Sequence, residues 1–463
     1  MTRPKLKTLT KTKKKYFKKF LKFMEIRMNR IWTFLSICLT ISLVATDKCI
    51  IDESLRANNL ATKTPYEYTF DPNTNLEFPK NCEPSKIWLV SRHGTRYPSK
   101  KGIDAINHVL PGFLNSLTKS KLCAKDIELL EKWQPENLSP NHAKNLHAEG
   151  EKELLLMAER FQFRLKSLLE QDYHEDNFKF RATNTQRAEQ SQFHFATGLF
   201  GRKEAYKIKY EDPIEPFDPV IRFYKGCQKW NTRVKHNISS LKEQLLFESS
   251  LIFKKELLEP LSEIFQEEVN LNQLEAIWVG CNFGQAWQPQ KLSPWCGILT
   301  EHQRNLLEYR ENLEYFYVDS YGNHLNYDQA CVLMQDVFES FKESRISTFY
   351  FTHSGTILKF LAYLNVNSPD VKPMHDNFDA AHKWTTSHFD SFASNVAFVL
   401  LSCDKVGMFL NEKLTVIPGC NDIWCQFEEF ENLFKTSRKV CDFHQICDSQ
   451  HSDDHYISDD DRF

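Results

Sequence analysis

Three short apolar runs, each leading straight into polar residues or a helix-forming stretch, constrain the fold of this chain most. Ile87-Trp88-Leu89-Val90 leads into Arg92-His93-Gly94, and Phe178-Lys179-Phe180 into Arg181-Ala182-Thr183-Asn184-Thr185-Gln186-Arg187. Ser347–Thr352 leads into His353-Ser354-Gly355 and the apolar stretch Thr356–Leu364, and a fourth run, Asn395–Leu401, follows. Runs that are apolar throughout, rather than alternating, belong to strands buried on both faces. Helical patterns lie between them; Glu149–Leu169 carries Leu154, Leu155, Ala158, Phe161, Phe163 and Leu165 among charges. Together they predict an α/β fold, a sheet core flanked by helices. Ligands of such sheets gather at the carboxyl ends of the strands, and the Arg and His residues fall there. The stretch from about 202 to 345 is rich in Glu, Lys and Leu without a strand signal, which predicts an inserted α-helical cap.

The loop after the first run, Arg92-His93-Gly94-Thr95-Arg96-Tyr97-Pro98, holds a histidine between two arginines. Guanidinium groups grip a phosphoryl group through bidentate, charge-assisted hydrogen bonds. A neutral imidazole among them can attack phosphorus and carry the group covalently. Gly94, lacking a side chain, is expected to let the backbone approach the anion. After the second run, Ser191, Phe195 and Gly198 follow Arg187 at close to one helical stripe. A helix opening there aims Arg187 and free backbone N–H groups at an anion. Arg181 competes for that role, and spacing favours Arg187. His353, placed between a buried strand and a helix, is expected to face the same pocket and hold the transferred oxygens. Thr95 within the motif, Lys100 just past it and Arg181 at the end of the second run are the further candidate substrate-binding residues.

Composition narrows the class. With 59 basic and 61 acidic residues the chain lacks the general basic surface of a nucleic-acid binder, and 36 Phe supply a sizeable core. Residues 1–30 are crowded with Lys and Arg, and an apolar stretch from Ile31 to Ala45 follows. That order reads as a secretory signal peptide with a long basic leader, Met28 being a better start; the apolar run is short for a stable membrane span. Cys38 lies inside the signal, so twelve of the 13 cysteines remain, and at least four disulfides are expected. Cys-x-x-Cys and paired-His spacings are lacking, so zinc is not expected. Asn137-Leu138-Ser139 and Asn237-Ile238-Ser239 are glycosylation sequons. The expected location is the secretory pathway: secreted, or in the endoplasmic reticulum or lysosome lumen. No retention signal is seen. The expected layout is signal 1–45, core 46–200 and 346–447, cap 201–345 and a disordered acidic tail 448–463.

The Arg92–Pro98 motif, the pattern Arg187-x3-Ser191-x3-Phe195-x2-Gly198-Leu199 and His353 resemble the histidine acid phosphatases. Further segments resemble their multiple inositol polyphosphate phosphatase branch: Ile221–Trp230, Ser293-Pro294-Trp295-Cys296, Glu314–Tyr317 with Tyr321-Gly322, and Asn411-Glu412-Lys413 before Pro418-Gly419-Cys420. The resemblance implies a phosphatase core with a helical cap. It implies hydrolysis of inositol phosphates such as phytate, and of 2,3-bisphosphoglycerate, through a phosphohistidine on His93. Arg92, Arg96, Arg187 and His353 then hold the phosphoryl oxygens, with no cofactor and no metal. The chain departs from the family after His353. Where Asp, or Ala-Glu, supplies the carboxyl that protonates the leaving oxygen, this chain has Ser354-Gly355. Glu189, two residues past Arg187, is the candidate substitute acid. The alternative is a weakened or inactive pseudo-phosphatase that binds phosphate esters without turnover.

Overall fold

The computed structural model describes residues 49–70, 72, 76–134 and 138–448. The expected signal peptide, the acidic tail beyond Asp448 and Asn137 of the first sequon lie outside them.

All four apolar runs form strands: β1 (Pro84–Arg92), β2 (Phe178–Ala182), β3 (Ser347–Thr352) and β4 (Asn395–Leu401). The sequence reading missed β5 (Lys405–Leu410), β6 (Lys413–Thr415) and β7 (Cys425–Gln426). The sheet runs β2-β3-β1-β4-β5-β6, with β7 beside β5. β2, β3 and β1 are parallel, and Arg92 at the end of β1 pairs with Thr352 at the end of β3. His93 and His353, the next residues of each strand, therefore leave the sheet side by side.

The helices that matter here are α1 (Ala148–Arg164), α2 (Gln186–Phe200), α3 (Leu271–Trp287), α4 (Glu301–Asp319) and α5 (Ser354–Tyr363). α1 ends sooner than the pattern to Leu169 predicts. Leu165 leaves the helical region, and Lys166–Leu169 forms a separate turn. Phe163 is exposed, because two residues rotate a helix by about 200° and Phe161 faces the core. α1 packs closely on α2: a Cβ at Gly198 would lie 2.3 Å from the Leu155 carbonyl oxygen.

From 201 to 345 the chain is helical without a strand. The helical layer nevertheless takes in more of the chain than the expected cap. Ile103, Leu110, Phe113 and Leu117, which precede β2, share one apolar core with Leu274, Ile277, Trp278 and Leu306. Apolar periodicity marks such segments as helical but not which layer they join. All twelve remaining cysteines pair, as Cys49–Cys123, Cys82–Cys403, Cys227–Cys447, Cys281–Cys296, Cys331–Cys441 and Cys420–Cys425. Six disulfides fit a chain that folds in an oxidising compartment. No helix among the described residues is long and apolar enough to cross a membrane.

The β5–β6 hairpin turns on Asn411 and Glu412, both at positive φ (49° and 66°). A two-residue turn of this kind favours Asn-Gly, so Glu412 sits in a strained conformation. Ion pairs hold it there: its carboxylate accepts from Arg160 at 2.6 and 2.8 Å, from Arg164 at 3.1 Å and from the Tyr66 hydroxyl at 2.9 Å. Glu412→Ala strips a buried anion from two arginines and is expected to cost about 3 kcal/mol. Denaturant unfolding checks this; a loss below about 1 kcal/mol, the range of exposed pairs, contradicts it.

Candidate active site

β1 delivers His93 to a cavity of about 590 Å³, which Arg92, Arg96, Arg187, Arg222 and His353 also line. The backbone continues the sheet for one more residue: His93 N–H donates to the Thr352 carbonyl at 2.9 Å, and Ala393 N–H donates to the His93 carbonyl at 3.1 Å. The ring is oriented as well. His93 Nδ1 lies 2.9 Å from the Gly94 carbonyl oxygen. A carbonyl can only accept, so Nδ1 carries the proton and Nε2 keeps its lone pair. Burial, then Arg187, Arg92 and Arg96, hold the His93 pKa well below the usual histidine range. The imidazole stays neutral, as a nucleophile requires.

His353 packs edge-on to His93, with ring centroids 5.6 Å apart. Its Nδ1 lies 3.4 Å from Arg187 Nη2, which donates, so Nε2 carries the proton and donates to Thr183 Oγ1 at 3.0 Å. Burial, then Arg222 and Arg187, push its pKa well below the usual value too.

The guanidinium groups crowd one another. Burial and the neighbouring arginines pull the pKa of Arg96 down to about 9 and that of Arg187 to about 10. Arg92 is clamped, donating to the Thr62 and Asp390 carbonyls at 2.7 Å each. The Nε atoms of Arg92, Arg187 and Arg222 are buried with no partner within the protein. Buried cations without enough counter-charge are costly alone and favourable around an anion. Lys144 and Lys235 also line the cavity, as do Lys63, paired with Glu311, and Arg310, paired with Glu248 and Glu275.

Arg92, His93, Arg96, Arg187 and His353 thus meet in one cavity. The other sequence candidates stand elsewhere. Thr95 is buried away from the cavity, its hydroxyl and N–H both donating to Glu153 at 2.9 and 2.7 Å. Arg181 lies 3.0 Å from Asp218 and stacks over the Tyr350 ring. Alternation along β2 turns Arg181 to the face opposite Phe180. Lys100 is the exposed first residue of a short helix capped by Ser99. Glu189 does not line the cavity, since two helical residues put it about 200° around α2 from Arg187. Gly94 has a different reason from the expected one: a Cβ there would lie 2.5 Å from the Gly150 carbonyl oxygen on α1. It lets the loop and the helix meet.

Sequence reasoning missed Arg222, Asp319 and Asp390. Arg222 belongs to the Ile221–Trp230 segment, yet nothing local marks it as a phosphate ligand. Asp390 is fully buried behind Ser354, whose hydroxyl it accepts from, and burial raises its pKa to about 7.

A neutral, oriented imidazole within a ring of under-compensated guanidinium groups is equipped to receive a phosphoryl group, which places the protein among phosphoryl-transfer enzymes of α/β fold. More particularly, the chain belongs to the histidine phosphatase superfamily (branch 2), which it matches over residues 85–415. Multiple inositol polyphosphate phosphatase 1 of Drosophila melanogaster is 27% identical over 422 residues, covering 86% of this chain and 89% of its own. The Homo sapiens protein of that name is 23% identical over 413 residues, covering 79% and 82%. Among solved structures, the phytase from D. castellii superposes with a TM-score of 0.66 at 16% identity, covering 84% and 86%. The Bifidobacterium longum multiple inositol polyphosphate phosphatase, in complex with inositol hexasulfate, gives 0.65 at 14% identity, covering 82% and 98%.

Proposed function

We propose that the protein hydrolyses phosphomonoesters of inositol polyphosphates through a phosphohistidine on His93. The observation that carries this reading is the His93 ring itself, fixed by Gly94 with Nε2 unprotonated, inside a cavity ringed by Arg92, Arg96, Arg187 and Arg222. Nε2 attacks phosphorus in line, the guanidinium groups neutralise the equatorial oxygens, and the ester oxygen leaves. Water then attacks the phosphohistidine, releasing phosphate and restoring the neutral ring. The breadth of the cationic wall, from Arg187 through Arg222 to Lys144 and Lys235, suits a substrate bearing several phosphates. The named relatives support the inositol assignment. The cysteine pairing supports a secreted or lumenal site of action.

Binding without turnover, the reading suggested by Ser354-Gly355, needs a cavity without a carboxyl to serve the leaving group. Asp319 lines the cavity, which favours the enzyme. Purified protein incubated with phytate from pH 3 to 8 is expected to release phosphate. Release from neither phytate nor an aryl phosphate anywhere in that range overturns the reading.

A further inference from the structure

The carboxyl lacking at Ser354 and Gly355 has a counterpart on another element. Asp319 is the last residue of α4, and its side chain reaches across to the start of α5. A Cβ built on Gly355 would lie 3.3 Å from Asp319 Oδ1 and 3.4 Å from the Tyr224 ring. The glycine therefore leaves the space that the Asp319 carboxyl occupies, and both residues line the cavity that holds His93. Behind Asp319 stands Lys359, on the next turn of α5, whose ammonium donates to Oδ1. Lys359 is fully buried, with Nζ 4.1 Å from the Trp230 ring centroid and 4.8 Å from that of Tyr224.

We propose that Asp319, charged by Lys359, is the general acid that protonates the leaving oxygen in this protein, replacing a carboxyl at position 354 or 355. The assignment rests on the phosphohistidine reading above. In the first step the P–O ester bond breaks as P–Nε2 forms. As the alkoxide departs, a proton passes from the Lys359 ammonium through the Asp319 carboxylate to the leaving oxygen, so the resting ion pair becomes a neutral lysine beside the carboxylate. In the second step the attacking water forms the new P–O bond as P–Nε2 breaks, and its proton returns through Asp319 to Lys359. Protons and charge balance over the cycle, and no further reactant is needed. Glu275, Glu311 and Glu314 line the cavity too, but Asp319 is the carboxyl nearest a Cβ at position 355. Asp390 is the rival beside Ser354. It does not line the cavity and reaches it only through the Ser354 hydroxyl.

A general acid matters in proportion to the basicity of the leaving group. An inositol alkoxide needs the proton and an aryl phenolate needs it little. Asp319→Asn is expected to cut turnover of phytate about a hundredfold, within the range for loss of an acid, and that of an aryl phosphate less than tenfold. Lys359→Met, which fits the aromatic slot, shows the same leaving-group signature in milder form. Gly355→Glu in the Asp319→Asn background restores phytate turnover, whereas Gly355→Glu alone crowds two carboxylates and does not improve it. Equal losses on both substrates, or a loss below twofold, overturn the assignment, as does a selective phytate loss in Asp390→Asn with Asp319→Asn unaffected. Wild-type protein that turns over neither substrate removes the phosphatase reading instead, so the two failures are distinct.

Discussion

His93→Ala abolishes phosphate release from every ester, aryl or inositol, while the protein remains folded. Removing a covalent nucleophile costs roughly 10⁴–10⁶ in turnover, because the remaining groups bind the ester without attacking it. No neighbour can take over. His353, the nearest ring, keeps its Nε2 proton on Thr183 and its Nδ1 toward Arg187. The fold is spared because the contacts of position 93 with the sheet run through its backbone, to Thr352 and Ala393. The space left by the ring opens into a polar cavity that water fills. Phosphate release with a melting curve for both proteins checks both halves. Wild-type turnover in the variant would remove His93 from the mechanism.

Arg187→Ala is the second large effect. This guanidinium sits in the first turn of α2, beside both histidines, so it acts on the phosphoryl oxygens and on the protonation of the nucleophile. Loss of one preorganised charge-stabilising donor costs roughly 10²–10³ in rate. The pH profile should move too. Burial and the cationic neighbours lower the His93 pKa, so in wild type the acid limb of kcat/KM lies well below the ordinary histidine value near 6.5. Arg187 is the largest electrostatic contributor to that shift. Removing it raises the pKa, the ring gains its proton at higher pH, and the acid limb moves up. A rate loss without movement of the limb would show that Arg187 binds phosphate without tuning His93.

The sheet core was legible because strands buried on both faces carry a continuous apolar signal; Trp88, Leu89, Val90, Phe349, Tyr350 and Phe351 are all fully buried. β5 was not. Its run is interrupted by Gly407, whose missing side chain makes room for Trp424, and its hairpin turns on Asn411-Glu412 rather than a glycine pair. The reacting centre was legible because its histidines and Arg187 stand at or just past strand ends. Register then brings together what the sequence separates by some 260 residues. Residues whose role depends on tertiary placement left no local trace. Asp319 closes a 19-residue helix, and nothing in its neighbours points to Gly355. Thr95 and Arg181 misled for the converse reason: adjacency to the motif is not orientation, and one residue along a strand reverses the face.

The most direct test of the account is to locate the transferred phosphoryl group. Wild-type protein mixed with a phosphate ester labelled in the transferred group, and quenched in alkali to preserve phosphohistidine, should carry the label on the peptide containing His93. His93→Ala should carry none. Label on any other residue, or turnover by a protein that never acquires label, would contradict the assignment of His93 as the nucleophile.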